Sequence, residues 1–320
     1  ASPASPSGSM KLKRPPAAPS SHMTPSRRTV LRALGTPAAL ASTSKAQDTP
    51  PPARNGRIKQ VIAAWPFAVG AKWTPQDLMR HAKQLGVAGV ELFDADQLPL
   101  LKNTGLVCAA TKSHSFVRGM NNKGHHPEVF ATLQKAIAAT SAANFPHVMT
   151  FTGLLDTSME EHGSIVSREE GTKNCIDGFK KMAALAEKHK VTLVLEPLNS
   201  RVAEAMKGHP GYQGDHIDAC VEIVKAVSSP SLKVLFDAYH VQIMDGDLIR
   251  RIEQYHEFIG HVQIAGNPGR GEIGDNQEIN YRGLMKALLK VNYPGYVGHE
   301  WIPTGDPIKG LEEAISICDI

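Results

Sequence analysis

Four short apolar runs in the C-terminal half of this chain each end in one oxygen-bearing side chain: VTLVLEP at Glu196, LKVLFDAYH at Asp237, IGHVQIAG at Gln263 and YVGHEWIP at Glu300. Three carboxylates and an amide oxygen form a hard donor set of the kind that magnesium and manganese prefer. A cation bound to a carbonyl and its neighbouring hydroxyl acidifies the hydrogen on the carbon between them and stabilises the enediolate that forms. A carboxylate within reach of that carbon can take the proton and return it to the next carbon. A single strand-end carboxylate is explained as well by capping a loop. Four oxygen donors on successive runs are not.

Such a set must be held by a frame that brings run ends together. Eight apolar runs occur after Ile58: KQVIAAWPF, GVAGVELFD, GLVCAATKSH, FPHVMTFTG, VTLVLEP, LKVLFDAYH, IGHVQIAG and YVGHEWIP. They are dense in Val, Ile, Leu and Phe, as strands buried on both faces must be. The spacing of apolar residues predicts helices over 75–84, 126–143, 168–189, 216–227, 248–258 and 281–289, with only a couple of turns over 96–103. Strands alternating with helices over 58–320 predict a single-domain α/β fold, a (β/α)8 TIM barrel, whose sites sit at the carboxyl ends of the strands. Trp65, Glu91, His114 and Thr152 occupy the corresponding positions of the first four runs. Loops over 115–125, 154–167 and 199–215 should cover the mouth.

The stretches EPLNSR, FDAYHVQIMDGDL, IGHVQIAGNPGRGE, QEINY and GYVGHEW together resemble the hydroxypyruvate isomerase group of the xylose-isomerase-like TIM barrel superfamily. The resemblance spans 58–320 and is strongest from Glu196 onward. It implies a metal-dependent isomerase of sugars or hydroxy-keto acids. In such an enzyme Glu196, Asp237, Gln263 and Glu300 hold manganese or magnesium, with cobalt an alternative, and Glu196 and Glu300 form the proton-transfer pair. Gln263 stands where related ketose 3-epimerases usually carry a histidine, which favours the isomerase branch over an epimerase.

Supporting roles follow around this set. His240, three residues past Asp237, is placed to meet substrate oxygens. Arg270, in the turn NPGRGE, and Arg201, after EPLNS, are candidates for a forked grip on a substrate carboxylate. His114 and Trp65 are candidates for shaping the pocket. Strand alternation turns His299 away from the mouth. The segment KSHSFVRGMNNKGHH departs from the pattern expected for an enzyme acting on hydroxypyruvate itself and leaves the substrate open. An apurinic-site endonuclease on this barrel would need about three zinc ions with several imidazole ligands. A noncatalytic sugar-binding barrel remains the reading of another class.

The net charge of +4 over 320 residues is concentrated near the N-terminus, at Lys11, Lys13, Arg14, Arg27, Arg28 and Arg32. The remainder is nearly neutral, which argues against nucleic acid as a partner and for a small-molecule substrate. No run reaches the roughly 20 apolar residues of a transmembrane helix. Cys108, Cys175, Cys220 and Cys318 are too scattered for a zinc knuckle or a disulfide framework. Residues 1–22 read as an expression tag and linker ending in Ser-His ahead of Met23. Residues 23–57 read as a leader and linker in which Arg27-Arg28 before an Ala-rich stretch resembles a twin-arginine export signal, so the expected location is periplasmic, or cytoplasmic without export. Association into a homo-oligomer is compatible with the sequence.

Overall fold

The eight apolar runs become eight parallel strands in the computed structural model, which describes residues 55–320. The tag and leader assignments on residues 1–54 fall outside the described residues. The element order is β1 (Lys59–Ala63), α1 (Ala64–Gly70), α2 (Pro75–Gln84), β2 (Gly89–Glu91), β3 (Val107–Cys108), α3 (His126–Ala142), β4 (His147–Thr150), α4 (Arg168–Lys188), β5 (Thr192–Leu195), α5 (Ile217–Val227), β6 (Leu232–Asp237), α6 (Ala238–Met244), α7 (Leu248–Tyr255), β7 (Ile259–Ile264), α8 (Tyr281–Lys290), β8 (Tyr296–His299) and α9 (Pro307–Cys318). The strands run in the order β3-β2-β1-β8-β7-β6-β5-β4. Thr111 joins the two ends by a parallel bridge to Val148, donating its N–H to His147 O at 2.9 Å and accepting from Met149 N at 2.9 Å.

Two apolar layers hold this frame. One includes the outward strand residues Ile62, Val90, Val234 and Val297 with the helix residues Leu78, Val221 and Leu311. The other lies inside the ring and includes Ala63, Ala110, Met149, Val194 and Leu235. Each fully buried Val, Leu, Ile or Met among them contributes roughly 1.5–3 kcal/mol. Helix starts are set locally. Thr74 and Asp77 form a capping box ahead of Pro75, Ser167 caps α4, and Asp306 accepts from two backbone N–H groups of α9.

Helices α1, α6 and α9 were not foreseen from periodicity. The first two start at the residue immediately after a strand, so no turn signal separates strand from helix. The expected helix over 248–258 is an α-helix to Tyr255 followed by a 3-10 turn, and the stretch 96–103 is a 3-10 turn at Leu98–Leu101. Asn55 to Arg57, read as linker, are tied to the last residues of the chain: Asn55 and Gly56 donate backbone N–H groups to the Asp319 carboxylate, and Arg57 Nε donates to Ile320 O at 2.7 Å. Among the described residues no helix is long and apolar enough to cross a membrane.

Candidate active site

Glu196, Asp237 and Glu300 converge at the carboxyl ends of β5, β6 and β8, and all three are buried. Glu196 N donates to Thr150 O at 3.1 Å and Glu300 N to Ile264 O at 3.0 Å, which extends the ladder by one residue and fixes each side chain relative to the sheet. Asp237 is both the last residue of β6 and the N-cap of α6, accepting from Tyr239 N at 2.8 Å. Alternation along β8 sends Gly298 and Glu300 to one face and His299 to the other, where its Nε2 pairs with Gln60 Oε1 at 2.8 Å. Gly298 is required here. A Cβ at that position would lie 2.1 Å from Glu91 Oε1.

The centre of the cluster is held by Arg270. Its backbone sits in the left-handed region at φ 56°, in a turn closed by Arg270 N to Gly266 O and Gly266 N to Gly271 O, both 2.8 Å. Arg270 Nη2 lies 2.8 Å from Glu300 Oε2 and 3.5 Å from Asp237 Oδ2, and the guanidinium carbon stands 5.1 Å from the Trp65 ring centroid and 5.3 Å from that of Tyr239. Trp65 Nε1 donates to the other oxygen of Glu300 at 2.6 Å. His240 Nδ1 accepts from Asn199 N at 3.0 Å. Its Nε2 lies 2.9 Å from Arg270 Nη1, a group that can only donate, and 3.6 Å from Asp237 Oδ2, so both ring nitrogens face N–H donors.

Burial sets the electrostatics of this cluster. It pushes the Glu300 carboxyl up to about 8 against the opposing pull of Arg270. Burial raises Glu196 well above the carboxylate range, reinforced by the negative charges of Glu300 and Asp237, and raises Asp237 as well. His240 is driven far below the usual imidazole range by burial and then by the charge of Arg270. Three carboxylates share one guanidinium, so a full set of negative charge here lacks a counter-charge.

Gln263 lies on the inner side of β7, donating Nε2 to Glu91 Oε1 at 2.8 Å, while His261, two residues earlier, pairs with Glu91 Oε2. This orientation leaves Gln263 Oε1 buried without a hydrogen-bond partner, and Glu196 Oε1 is in the same position. Buried oxygens without partners call for an explanation, and a bound cation is one. Glu196, Asp237 and His240 offer donor atoms within 4.8 Å of one another, the one such group of three among the described residues. The residues present therefore fit a hard divalent cation. His240 is the poorest ligand of the group, because Asn199 occupies its Nδ1 and Arg270 its Nε2.

A cavity of about 590 Å³ opens above the cluster. Glu196, Glu300 and Arg270 form its floor, and Trp65 and His114 line it. His114 Nε2 meets Thr150 Oγ1 at 2.9 Å, and burial holds the ring down to about 4. Two expectations need correction. Arg201 is exposed, donates to Ile243 O at 2.6 Å and does not line the cavity, because its loop turns it onto α6. Arg270 is in the site, but its charge is directed at Glu300 and Asp237 rather than held free for a substrate carboxylate. Sequence reasoning missed Asn199, which orients His240, and the apolar side of the cavity, where Phe116, Phe151, Leu198 and Met206 come from loops and strand ends without periodicity.

A family model described as a xylose isomerase-like TIM barrel matches residues 79–319. A Xenopus laevis protein provisionally named a hydroxypyruvate isomerase is 31% identical over 265 residues, covering 82% of this chain and 87% of its own. A 2-oxo-tetronate isomerase of Cupriavidus necator is 38% identical over 121 residues, which span 38% of this chain and 44% of its own. Among solved structures, one described as an AP endonuclease of family 2 from Brucella melitensis aligns with a TM-score of 0.68 and 30% identity, covering 79% of this chain and 97% of that one.

Proposed function

Because the chain belongs to the xylose isomerase-like TIM barrel family, we propose that its buried acid cluster isomerises a small hydroxy-carbonyl compound by moving a proton between adjacent carbons. The observation that carries this reading is the pair of buried, unpartnered oxygens, Glu196 Oε1 near Asp237 and Glu300, and Gln263 Oε1 on the strand register beside Asp237. The names of the relatives support the same class of reaction. An endonuclease with a cluster of zinc ions is less well supported, since the one donor group of three among the described residues contains a single imidazole.

Glu196, Asp237, Gln263 and Glu300 would hold manganese or magnesium, which supplies Lewis acidity to the paired oxygens of the substrate. The remaining work belongs to the chain. Glu196 and Glu300 stand at β5 and β8 as the proton-transfer pair: one, ionised, takes the carbon-bound hydrogen, the proton returns to the neighbouring carbon, and the hydroxyl proton passes to the former carbonyl oxygen. A carboxyl raised by burial is the stronger base once it has lost its proton, and Glu300 near 8 is suited to exchange protons at neutral pH. Trp65 and Arg270 each hold one oxygen of Glu300, which aims the carboxylate. His240, set between Asn199 N and Arg270 Nη1, positions the guanidinium that meets Glu300.

The test is proton NMR in heavy water on the manganese-loaded full-length protein with hydroxypyruvate, tetruloses, ketopentoses and ketohexoses. Deuterium should enter at the carbon next to a carbonyl, with the carbonyl moving to the adjacent position. Inversion at one carbon with the carbonyl unmoved would identify an epimerase. Metal-loaded protein that exchanges no substrate hydrogen would overturn the isomerase reading.

A further inference from the structure

The floor of the cavity is acidic, but its wall is apolar and uncharged, and the two together constrain the substrate. Phe116 packs on Phe151 with ring centroids 6.4 Å apart and on His209 at 4.2 Å. Met149, Leu154 and Leu198 continue the same surface. Ser113 and Ser115 in the lining carry no charge, and its two histidines, His114 and His209, are both held near 4, His114 by burial and His209 by burial and then by Arg270, so they are neutral around pH 7. Two cationic residues line the cavity among the described residues, and each already faces a carboxylate of the chain. Arg270 is paired with Glu300 and Asp237, and Lys112, exposed at the rim, lies 3.1 Å from Asp94.

Size points the same way as charge. A cavity of about 590 Å³ lies within the range of about 300–1,000 Å³ that accommodates drug-sized ligands. A three-carbon keto acid displaces only a handful of waters at about 30 Å³ each, and would leave the apolar wall wet. Its carboxylate, moreover, would enter beside Glu196 and Glu300, with both cationic side chains of the lining already paired to carboxylates of the chain.

We propose, on the premise that the floor performs the proton transfer described above, that this site takes an uncharged α-hydroxy ketone bearing an aromatic or alkyl group, in preference to a free hydroxy-keto acid. The hydroxy-ketone end enters the floor among Glu196, Glu300 and Arg270. The apolar end lies against Phe116, Phe151 and Leu198, where it gains the burial free energy that a small acid forgoes.

Three probes with the same kind of reacting group separate the possibilities: hydroxypyruvate, erythrulose and the 4-O-benzyl ether of erythrulose. Their affinities for the manganese-loaded full-length protein are read by titration calorimetry, and deuterium exchange is followed in parallel by NMR. The benzyl ether should bind at least about tenfold more tightly than erythrulose, the gain expected from burying one ring, with hydroxypyruvate the weakest. Phe116→Ala should remove most of that advantage, while the ranking of the probes on the unmodified chain stands independently of any variant. Hydroxypyruvate binding as tightly as the benzyl ether, or the benzyl ether binding no better than erythrulose, would overturn the inference. A benzyl preference without exchange from any probe would instead sink the isomerase reading and leave the ligand class in place.

Discussion

The floor and the wall of one cavity are built by opposite rules. The floor takes Glu196, Asp237 and Glu300 from the ends of β5, β6 and β8 and places charge where water is excluded, with Arg270 as the internal counter-charge. The wall takes Phe116, Phe151 and Leu198 from the ends of β3, β4 and β5 and the loops after them, and even its histidines are kept neutral. A buried charge is costly and persists only where something repays it, whereas an apolar surface is stable as soon as it is covered. On the proposed reading the floor performs chemistry and the wall selects what reaches it. Substitutions in the floor should change the rate and those in the wall should change the binding.

The largest effect expected is on the floor. Glu196→Gln and Glu300→Gln should each lower deuterium exchange by about 10²–10⁴-fold while the circular dichroism spectrum is unchanged, because each removes a proton acceptor without changing side-chain size. Phe151→Leu, the matching change in the wall, should raise KM more than it lowers kcat. If Glu300→Gln retains near-normal exchange, Glu300 is not half of the proton-transfer pair.

Removal of Arg270 tests the stability side of the same contrast. Arg270→Leu leaves the buried carboxylates without their guanidinium, a loss that typically costs about 3–5 kcal/mol, and for a domain of this size each kcal/mol lowers Tm by roughly 2–4 °C. Manganese should restore part of the loss, since it supplies the missing positive charge to the folded state alone. Arg118, on the surface with Glu128 and Glu160, should be far less costly to replace because water screens such pairs. Equal melting shifts for the two arginine variants would show that the acid cluster is not electrostatically loaded.

Much of the floor was legible from the sequence because parallel strands buried on both faces are continuous apolar runs, and an oxygen at the end of such a run has no packing reason to be there. All eight strands were recovered on that ground. The wall was not legible. Phe116 and Met206 lie in loops without period, and their common surface exists only once the ring has closed. The Gln263–Glu91 bond joins residues 172 positions apart, so no local pattern announces it. Arg201 shows the converse error, a cation close in sequence to Glu196 that its loop turns outward onto α6.

A smaller effect comes from pH. In the metal-free protein Glu300 holds its proton up to about 8, against 4.5 ordinarily, so the fold binds more protons than the unfolded chain in that window and stability falls as pH rises through it. His114 and His209, held near 4 against 6.5, act in the opposite sense and add stability as pH rises from about 4 to 6.5. Above 6.5 these two histidines have finished titrating, and the carboxyl slope is unopposed by them. Chemical denaturation between pH 6.5 and 8 should therefore show a loss on the order of 1–2 kcal/mol without metal, reduced when manganese holds the carboxylates ionised. A metal-free protein whose stability rises over that interval would contradict the burial of Glu300.

The smallest change expected falls at the seam between floor and frame. Gln263 gives its amide N–H to Glu91, and its oxygen is buried without a partner, on the strand register beside Asp237. Gln263→His preserves this division: one ring nitrogen can donate to Glu91 while the other, deprotonated, faces the carboxylates, the arrangement in which a second carboxylate orients a metal-bound imidazole. Replacing an oxygen donor by nitrogen should shift preference from manganese toward cobalt or zinc, by about tenfold in relative affinity. Competitive loading with equal concentrations of the metals, followed by elemental analysis of the desalted protein, reads this without reference to turnover. An unchanged ratio would place Gln263 outside the ligand set and leave the cation, if bound, to the carboxylates and His240 alone.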